Sequence, residues 1–283
     1  MKGIGLVPNW QKKNTAQVVN KIRHFFQQRD LVLLIAGSEQ DHCLAETALA
    51  EELKSWPDQV ELIIVVGGDG TILRAARELA HWNIPLLGIN VGHTGFLAEI
   101  EVDQIDRYLQ LLVAGQYILR ERMMLQAVVR RESLELSRYL ALNDIIVSRG
   151  PFSRIIKLDA YINKEFLESY SGDGLIVSSP TGSTGYSLSA GGPVVNPYME
   201  LLVITPICPH SFYNRSIIVN GAECIQLKVG SGQTQVVLTA DGQVGFALEK
   251  DDIVDVCRAE QKIRLVHFAD SSFYRLLHQK LKG

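Results

Sequence analysis

The amino-acid sequence predicts an α/β N-terminal domain with a parallel sheet, followed by a β-rich, β-sandwich-like C-terminal domain. Three observations support this. In the first third of the chain, apolar runs typical of strands alternate with stretches of helical periodicity, which is the pattern of βαβ units. From residue 122 onward, short β-type runs follow one another with little helix between them. The length of 283 residues also exceeds the usual size of one domain.

The first domain is expected to contain four strands and four helices. The predicted strands are residues 3–7, 31–35, 62–66 and 85–89, and the predicted helices are residues 15–29, 44–55, 71–81 and 103–115. Ligands of parallel sheets bind beyond the carboxyl ends of the strands. The loops at 8–9, 37–38, 67–70 and 90–96 are therefore expected to share one edge of the sheet and to form a site there.

The second domain is expected to be built from strands. The predicted runs are residues 125–130, 139–148, 155–162, 174–178, 217–219, 224–229, 235–240 and 253–257. A further apolar run at 262–268 and a helix at 273–281 follow. The predicted domains are 1–120 and 121–257, with a C-terminal segment, 258–283, that returns to the first domain.

Composition narrows the class of protein. A formal charge of -3, with 47% hydrophobic and 21% charged residues, shows no basic excess, which argues against a nucleic-acid partner. The N-terminal apolar run is too short for a signal peptide, and no segment has the length of a membrane span, so we expect a cytoplasmic protein. Cys43, Cys208, Cys224 and Cys257 lack the spacing of a zinc or redox motif and are expected to be buried thiols.

The most informative motif is Gly-Gly-Asp-Gly-Thr at residues 67–71, between an apolar strand and a helical stretch. Backbone amides at a helix start lack intrahelical partners and lie at the positive end of the helix dipole, so they bind phosphate where side chains are absent. Asp69 would repel phosphate, so its target is a metal or a hydroxyl about to be phosphorylated. The alternative is a hairpin turn, which the helical pattern after the motif disfavours.

A second dense region, residues 171–193, is rich in glycine and hydroxyl side chains. Such a segment lets backbone approach a ligand, while Ser and Thr hydroxyls supply hydrogen bonds and Tyr186 offers a ring for stacking on a base. A flexible Gly/Ser loop is the alternative, but apolar residues at strand-like intervals argue against it. The region suits a nucleotide.

A polar pair and an Asp-Gly pair also interrupt apolar β runs. Asn143 and Asp144 lie inside the run 139–148, where a buried pair has to bind either neighbouring backbone or a ligand such as an adenine edge and ribose hydroxyls. Asp241 and Gly242 lie between two β runs, where a type I′ turn explains them, although a turn tip can also face a site.

Taken together, these motifs resemble the NAD kinase family. The glycine-rich turn at 67–71, the loop at 90–97, the pair at 143–144 and the region 172–193 resemble that family's ordered motifs, as do residues 206–211 and 241–243. The first motif alone is shared with diacylglycerol and sphingosine kinases and phosphofructokinases, whereas the ordered set is specific.

The resemblance implies transfer of the γ-phosphoryl group of ATP to the adenosine-ribose 2′-hydroxyl of NAD, giving NADP. Asp69 would be the catalytic residue, and Gly68 and Gly70 would admit phosphate oxygens to the backbone amides. Mg²⁺ would arrive with ATP, since no protein metal cage is visible, and a homodimer or homotetramer is implied. The resemblance assigns the NAD site to Phe96, Asn143, Asp144, Asp173, Thr184, Tyr186, Ser189 and Asp241.

Two positions depart from the family pattern. Asp144 stands where the family usually has Glu, which shortens the reach to the ribose, and Gly185 stands where many members have Ala. Two other functions remain as alternatives. A lipid kinase would share the first motif but needs an apolar acceptor pocket, and a non-catalytic NAD(H) or NADP(H) sensor would not need Asp69.

Overall fold

The computed structural model describes residues 2–37, 53–92, 95–151, 154–210, 214–230, 235–269 and 272–281. The chain divides into two compact units, one formed by residues 1–121 and 263–283 and the other by residues 122–262. Among the described parts of the chain, no helix is both long and apolar enough to cross a membrane.

The first unit is an α/β domain with parallel strands, as predicted. Its strands are β1 (Gly3–Pro8), β2 (Leu33–Ile35), β3 (Val60–Gly67), β4 (Leu86–Asn90) and β5 (Ile100–Glu101). The spatial order is β2-β1-β3-β4, with β5 parallel to β4. Its helices are α1 (Thr15–Gln27), α2 (Trp56–Gln59), α3 (Asp69–Leu79), α4 (Ile105–Val113) and, near the C-terminus, α6 (Phe273–Leu281).

Helical periodicity explains the packing of this unit. Val18, Ile22 and Phe26 of α1 recur on one face and are buried against Leu62 and Ile64 of β3 in one apolar cluster. The predicted helix at 44–55 lies mostly outside the described residues. Helix α1 starts at Thr15 as predicted, and α4 starts two residues later than predicted. Helix α3 starts two residues earlier than predicted, because its first turn already includes Asp69 and Gly70.

The second unit is made mostly of strands. Its first members are β6 (Ile118–Arg131), β7 (Leu134–Ala141), β8 (Asp144–Arg149), β9 (Ile156–Ile162), β10 (Glu165–Gly172) and β11 (Gly174–Ser178). The others are β12 (Leu201–Ile207), β13 (Ile217–Asn220), β14 (Ile225–Val229), β15 (Val236–Ala240), β16 (Val244–Leu248) and β17 (Ile253–His267). A short helix, α5 (Tyr186–Ser189), follows a 3₁₀ turn at Thr181–Thr184.

Six of these strands form an antiparallel sheet in the order β13-β12-β11-β8-β15-β16. In the other sheet, β9 pairs with both β10 and β14, and β14 pairs with β17. Buried side chains of both sheets, such as Val147, Leu175 and Leu227, belong to one apolar cluster. A core enclosed between two sheets is the arrangement of a β-sandwich.

The structure corrects three details of the prediction. The run at 139–148 is two strands, because the chain bends between Ala141 and Asp144. The runs at 253–257 and 262–268 belong to the single strand β17. The sequence also predicted neither β10 nor β12.

Three of the four cysteines were wrongly predicted as buried thiols. Cys224 and Cys257, both half-buried, form a disulfide. The pairing is possible because β14 and β17 run antiparallel with Ile225 opposite Val256, which brings the two adjacent cysteines together. Cys208 is a free, exposed cysteine. Cys43 lies outside the described residues.

Candidate functional site

The motif at 67–71 forms the predicted turn from a strand into a helix. β3 ends at Gly67, Gly68 is extended with φ -128°, and α3 begins at Asp69. The hairpin alternative is therefore wrong. The first amides of α3 point out of the helix start at the carboxyl edge of the parallel strands, where an anion is favoured by the helix dipole.

The Asp69 carboxylate binds the loop that follows β4. Its two oxygens accept hydrogen bonds from the backbone N–H groups of Phe96, at 2.7 Å, and Leu97, at 3.2 Å. A Cβ atom on Gly95 would overlap this carboxylate, so the close approach requires glycine. The Phe96 ring lies 5.6 Å from the Lys280 ammonium. Asp69 is thus held in a fixed orientation by two amides.

The loop after β1 joins the same edge. The Asn9 side-chain amide donates to the Thr71 hydroxyl at 3.2 Å, and the backbone N–H of Val91 donates to the Gly67 carbonyl at 2.8 Å. The loops after β1, β3 and β4 therefore converge, as the parallel sheet predicted. Ser38, His93 and Thr94 of the predicted edge lie outside the described residues.

In the second unit, one carboxylate organises the predicted polar pair. The Asp241 side chain accepts hydrogen bonds from three consecutive backbone N–H groups, those of Leu142 at 3.0 Å, Asn143 at 2.7 Å and Asp144 at 3.3 Å. Asp241 and Gly242 have φ values of 51° and 64°, which confirms the predicted turn. The turn residue thus also fixes the bend between β7 and β8.

Asp144 is a buried acid with a perturbed pKa. Asp144 is 4% exposed. Burial, and to a smaller extent the negative charge of Asp241, raises the pKa of the Asp144 carboxyl to about 7. Beside it, the buried Asn143 Oδ1 has no hydrogen-bond partner among the described residues, and neither have the Ser178 and Thr181 hydroxyls. Buried polar atoms are nearly always paired in native proteins, so this group is suited to a polar ligand.

The glycine-rich segment packs directly on this pair. A Cβ on Gly182 would overlap the Asn143 carbonyl oxygen, whereas one on Gly185 would lie 3.3 Å from Asn143 Nδ2 and 3.7 Å from Asp144 Oδ2. The Ser179 hydroxyl donates to the Leu142 carbonyl at 2.5 Å, and the Ser183 hydroxyl donates to the Pro180 carbonyl at 2.7 Å. The segment is ordered by these contacts, so the flexible-linker alternative is wrong.

The other predicted residues of this unit lie around the same segment. Tyr186 is 47% exposed, so its ring face is accessible, and Ser189 is also exposed. The Thr184 hydroxyl donates to the Thr181 carbonyl at 3.2 Å. Asp173 accepts a hydrogen bond from Arg149 Nε at 2.5 Å. The ligand contacts assigned to these four predicted residues stay predictions.

Sequence reasoning missed several polar groups at these two places. Lys12 was not singled out, because it lies three residues after Asn9 and outside the loop 8–9 that was assigned to the ligand edge. Ser178 and Thr181 were not predicted individually, although they lie in the segment 171–193 that was noted for its hydroxyl side chains. Nothing in the sequence around Arg149 indicated a role for it. Among the described residues, no three His, Cys, Asp or Glu side chains cluster as a metal site would require.

Comparisons with known proteins cover the whole chain. Residues 4–117 match the ATP-NAD kinase N-terminal domain, and residues 142–268 match the ATP-NAD kinase C-terminal domain. The chain belongs to the ATP-NAD kinase family. The NAD kinase of Natranaerobius thermophilus is 45% identical to it, over 100% of this chain and 99% of that protein. The NAD kinase of Moorella thermoacetica is 43% identical, over 100% and 90%.

Solved structures agree with this family fold. A yeast NADH kinase complexed with NADH superposes with a TM-score of 0.88 at 23% identity, covering 100% of this chain and 88% of the yeast chain. An NAD kinase from Archaeoglobus fulgidus in complex with ATP superposes with a TM-score of 0.76 at 25% identity, covering 100% and 99%.

Substitution by alanine should affect Gly182 and Gly185 of the ordered segment very differently. Gly182→Ala should destabilise the protein by about 3 kcal/mol or more, because the new methyl group overlaps a backbone carbonyl. Gly185→Ala serves as the matched control, since its methyl group meets no atom closer than 3.3 Å, and should change the free energy of unfolding by under about 1 kcal/mol. Urea denaturation of both variants measures this. Equal stability of the two variants would contradict the packing described above.

The buried Asp144 predicts a pH dependence. With a pKa of about 7 in the folded protein against 3.8 for an unperturbed aspartic acid, the folded state holds the extra proton between these values. Stability contributed by the neutral form is therefore lost as pH rises toward 7. Asp144→Asn should raise the Tm relative to wild type at pH 8 but not at pH 4. The corresponding gain in the free energy of unfolding at pH 8 is at most about 4 kcal/mol. Thermal melts without ligand at both pH values check this, and a pH-independent difference would contradict it.

Proposed function

We propose that this chain transfers the γ-phosphoryl group of ATP to the 2′-hydroxyl of the adenosine ribose of NAD, which gives NADP. Similarity to NAD kinases along the full chain supports the reaction. The structural observation that carries the acceptor assignment is the Asn143–Asp144 pair beneath the glycine-rich segment. Asn143 Oδ1 is a buried acceptor without a partner in the described residues, Asp144 is a buried acid, and an adenosine offers amino and hydroxyl donors to both.

Asp69 is the proposed catalytic residue. Phosphoryl transfer needs positioning, charge stabilisation and the handling of one proton. A carboxylate at the start of α3, oriented by the amides of Phe96 and Leu97, suits the last of these tasks, because it can orient the 2′-hydroxyl and accept its proton. Gly68 and Gly70, which lack side chains, admit phosphate oxygens to the backbone amides.

The proposed NAD contacts are not all of one kind. Asp144, when ionised, accepts hydrogen bonds from ribose hydroxyls, and Asn143 supplies an amide for the adenine edge. Phe96 and Tyr186 provide ring faces, and Thr184, Ser189 and Asp173 provide polar contacts. The Asp241 carboxylate accepts hydrogen bonds from three backbone amides, so we propose that it positions Asn143 and Asp144.

Mg²⁺ is proposed to enter with ATP. The donor set fits a metal held chiefly by phosphates, since no cluster of three candidate ligands occurs among the described residues. When bound, Mg²⁺ neutralises phosphate charge, and loss of turnover on chelation with EDTA tests its requirement. A homodimer or homotetramer, to be measured by light scattering, and a cytoplasmic location, to be measured by cell fractionation, stay predictions.

The acceptor assignment is tested with γ-labelled ATP and three acceptors. Label should enter NAD and not 2′-deoxy-NAD, which should still bind because the hydroxyl supplies the nucleophile but only part of the contacts. A diacylglycerol or sphingoid-base emulsion should stay unlabelled. Label in lipid but not in NAD would establish a lipid kinase, and binding of NAD without any transfer would establish a sensor.

Asp69→Asn tests the proposed proton role. The variant keeps the side-chain shape but cannot accept a proton, and a positioned base contributes about 10² to 10⁴ in rate, so kcat should fall by that order. Steady-state kinetics with saturating NAD and ATP measure the loss. Because Asp69 also binds two loop amides, the Tm and the Kd for NAD must be measured on the same sample. Near-normal kcat would overturn the role.

A further inference from the structure

The ammonium group of Lys12 lies over two glycines at the carboxyl edge of the parallel strands. A methyl group placed on Gly68 would lie 2.9 Å from Lys12 Nζ, and one placed on Gly92 would lie 2.8 Å from the same atom. Gly68 precedes α3, and Gly92 lies just beyond β4. A single cation therefore stands beside both glycine-containing loops of the proposed phosphate-binding edge.

The backbone of the β1 loop fixes this position. The N–H of Lys12 donates to the Asn9 carbonyl at 3.2 Å, and the N–H of Asn9 donates to the Val66 carbonyl at 2.8 Å. The Asn9 side chain also reaches Thr71, in the first turn of α3. The loop that carries Lys12 is thus tied to the end of β3 and to the start of α3.

The charge of Lys12 has no protein counterpart in the described ranges. The residue is half-buried, and neither a carboxylate within ion-pair distance nor a hydrogen-bond acceptor for its Nζ occurs there. Asp69, the acid of the neighbouring turn, directs its oxygens to the Phe96 and Leu97 amides instead. A partly desolvated ammonium beside the positive end of a helix favours an anion.

We propose that Lys12 binds the polyphosphate chain of the phosphoryl donor and neutralises the charge on its non-bridging oxygens. This inference rests on the proposed function. The donor triphosphate is favoured over the diphosphate of NAD because Lys12 stands over the turn that presents Asp69, where the transferred phosphoryl group has to arrive. The interaction is electrostatic, and the lysine exchanges no proton or covalent bond with the donor.

The test replaces Lys12 by methionine, which keeps an unbranched stem and removes the charge. Lys12→Met should weaken binding of inorganic tripolyphosphate, measured by calorimetry without NAD, by about 10- to 100-fold, as expected for one charge-assisted hydrogen bond. The KM for ATP should rise similarly, and the Kd for NAD should not change. Lys13→Met, at the exposed neighbouring lysine, is the matched control, and Lys12→Arg should restore most of the affinity.

A double-mutant cycle separates this role from a structural one. In Gly92→Ala, the new methyl group displaces the mobile end of Lys12, so tripolyphosphate binding should weaken while the Tm stays close to wild type. In a Lys12→Met background, the same change should have little further effect, because the group it displaces is already gone.

The outcomes distinguish this inference from the kinase assignment. If wild type forms no NADP but Lys12→Met still loses tripolyphosphate affinity, Lys12 binds polyphosphate and the proposed reaction is wrong. If wild type forms NADP but tripolyphosphate fails to bind, or binds Lys12→Met and Lys13→Met equally well, the inference is overturned. A selective loss of NAD affinity in Lys12→Met would overturn it as well.

Discussion

The second unit depends on the hydrogen bonds that the Asp241 carboxylate accepts from residues 142–144. Without them, the apolar residues on both sides of Asn143 would favour one continuous strand. The carboxylate offers the backbone a partner that a neighbouring strand cannot supply, so the chain bends and β8 begins at Asp144. This bend brings the Asn143 carbonyl oxygen beneath Gly182 and the Asp144 carboxyl beside Gly185.

The same arrangement places two carboxyl groups close together. Asp241 stays satisfied by backbone amides, whereas Asp144 is buried and carries the raised pKa. This division is the pattern expected when two acids share one environment, because the better-solvated or better hydrogen-bonded group keeps the charge. A ligand whose hydroxyl groups donate hydrogen bonds to the Asp144 carboxylate would stabilise the ionised form of Asp144. The short aspartate side chain keeps that carboxyl close to the backbone.

The sequence predicted the architecture because local patterns determine it. Alternating strand and helix periodicity predicted the parallel sheet, and the sheet then predicted which loops share an edge. Non-local contacts explain what it missed. The bend at Asn143 is held by a residue about a hundred positions away, and Pro206 obscured β12, where it lies beyond the residues that pair with β13. The pairing of Cys224 with Cys257 follows from strand register, which spacing does not show.

The candidate site could be predicted less completely than the fold. Motif order located Asp69, the 143–144 pair and the glycine-rich segment, but not the partners of each side chain. The two amides on Asp69 and the three on Asp241 come from backbone geometry, and the sequence records only that an acid is present. Lys12 belonged to no recognised motif, so its place became visible only when the glycines were seen beneath it.

The hydroxyls inside the glycine-rich segment also affect the entropy of ligand binding. Ser183 bonds to Pro180 and Val195, and Ser187 and Thr205 form a buried hydroxyl pair. A segment of this composition would be mobile in isolation, yet here its own short side chains hold the backbone in one conformation. Nucleotide binding therefore avoids most of the entropic cost of ordering a loop, and more of the contact energy remains as affinity. The serine hydroxyls of this segment therefore stabilise its backbone conformation before any ligand binds.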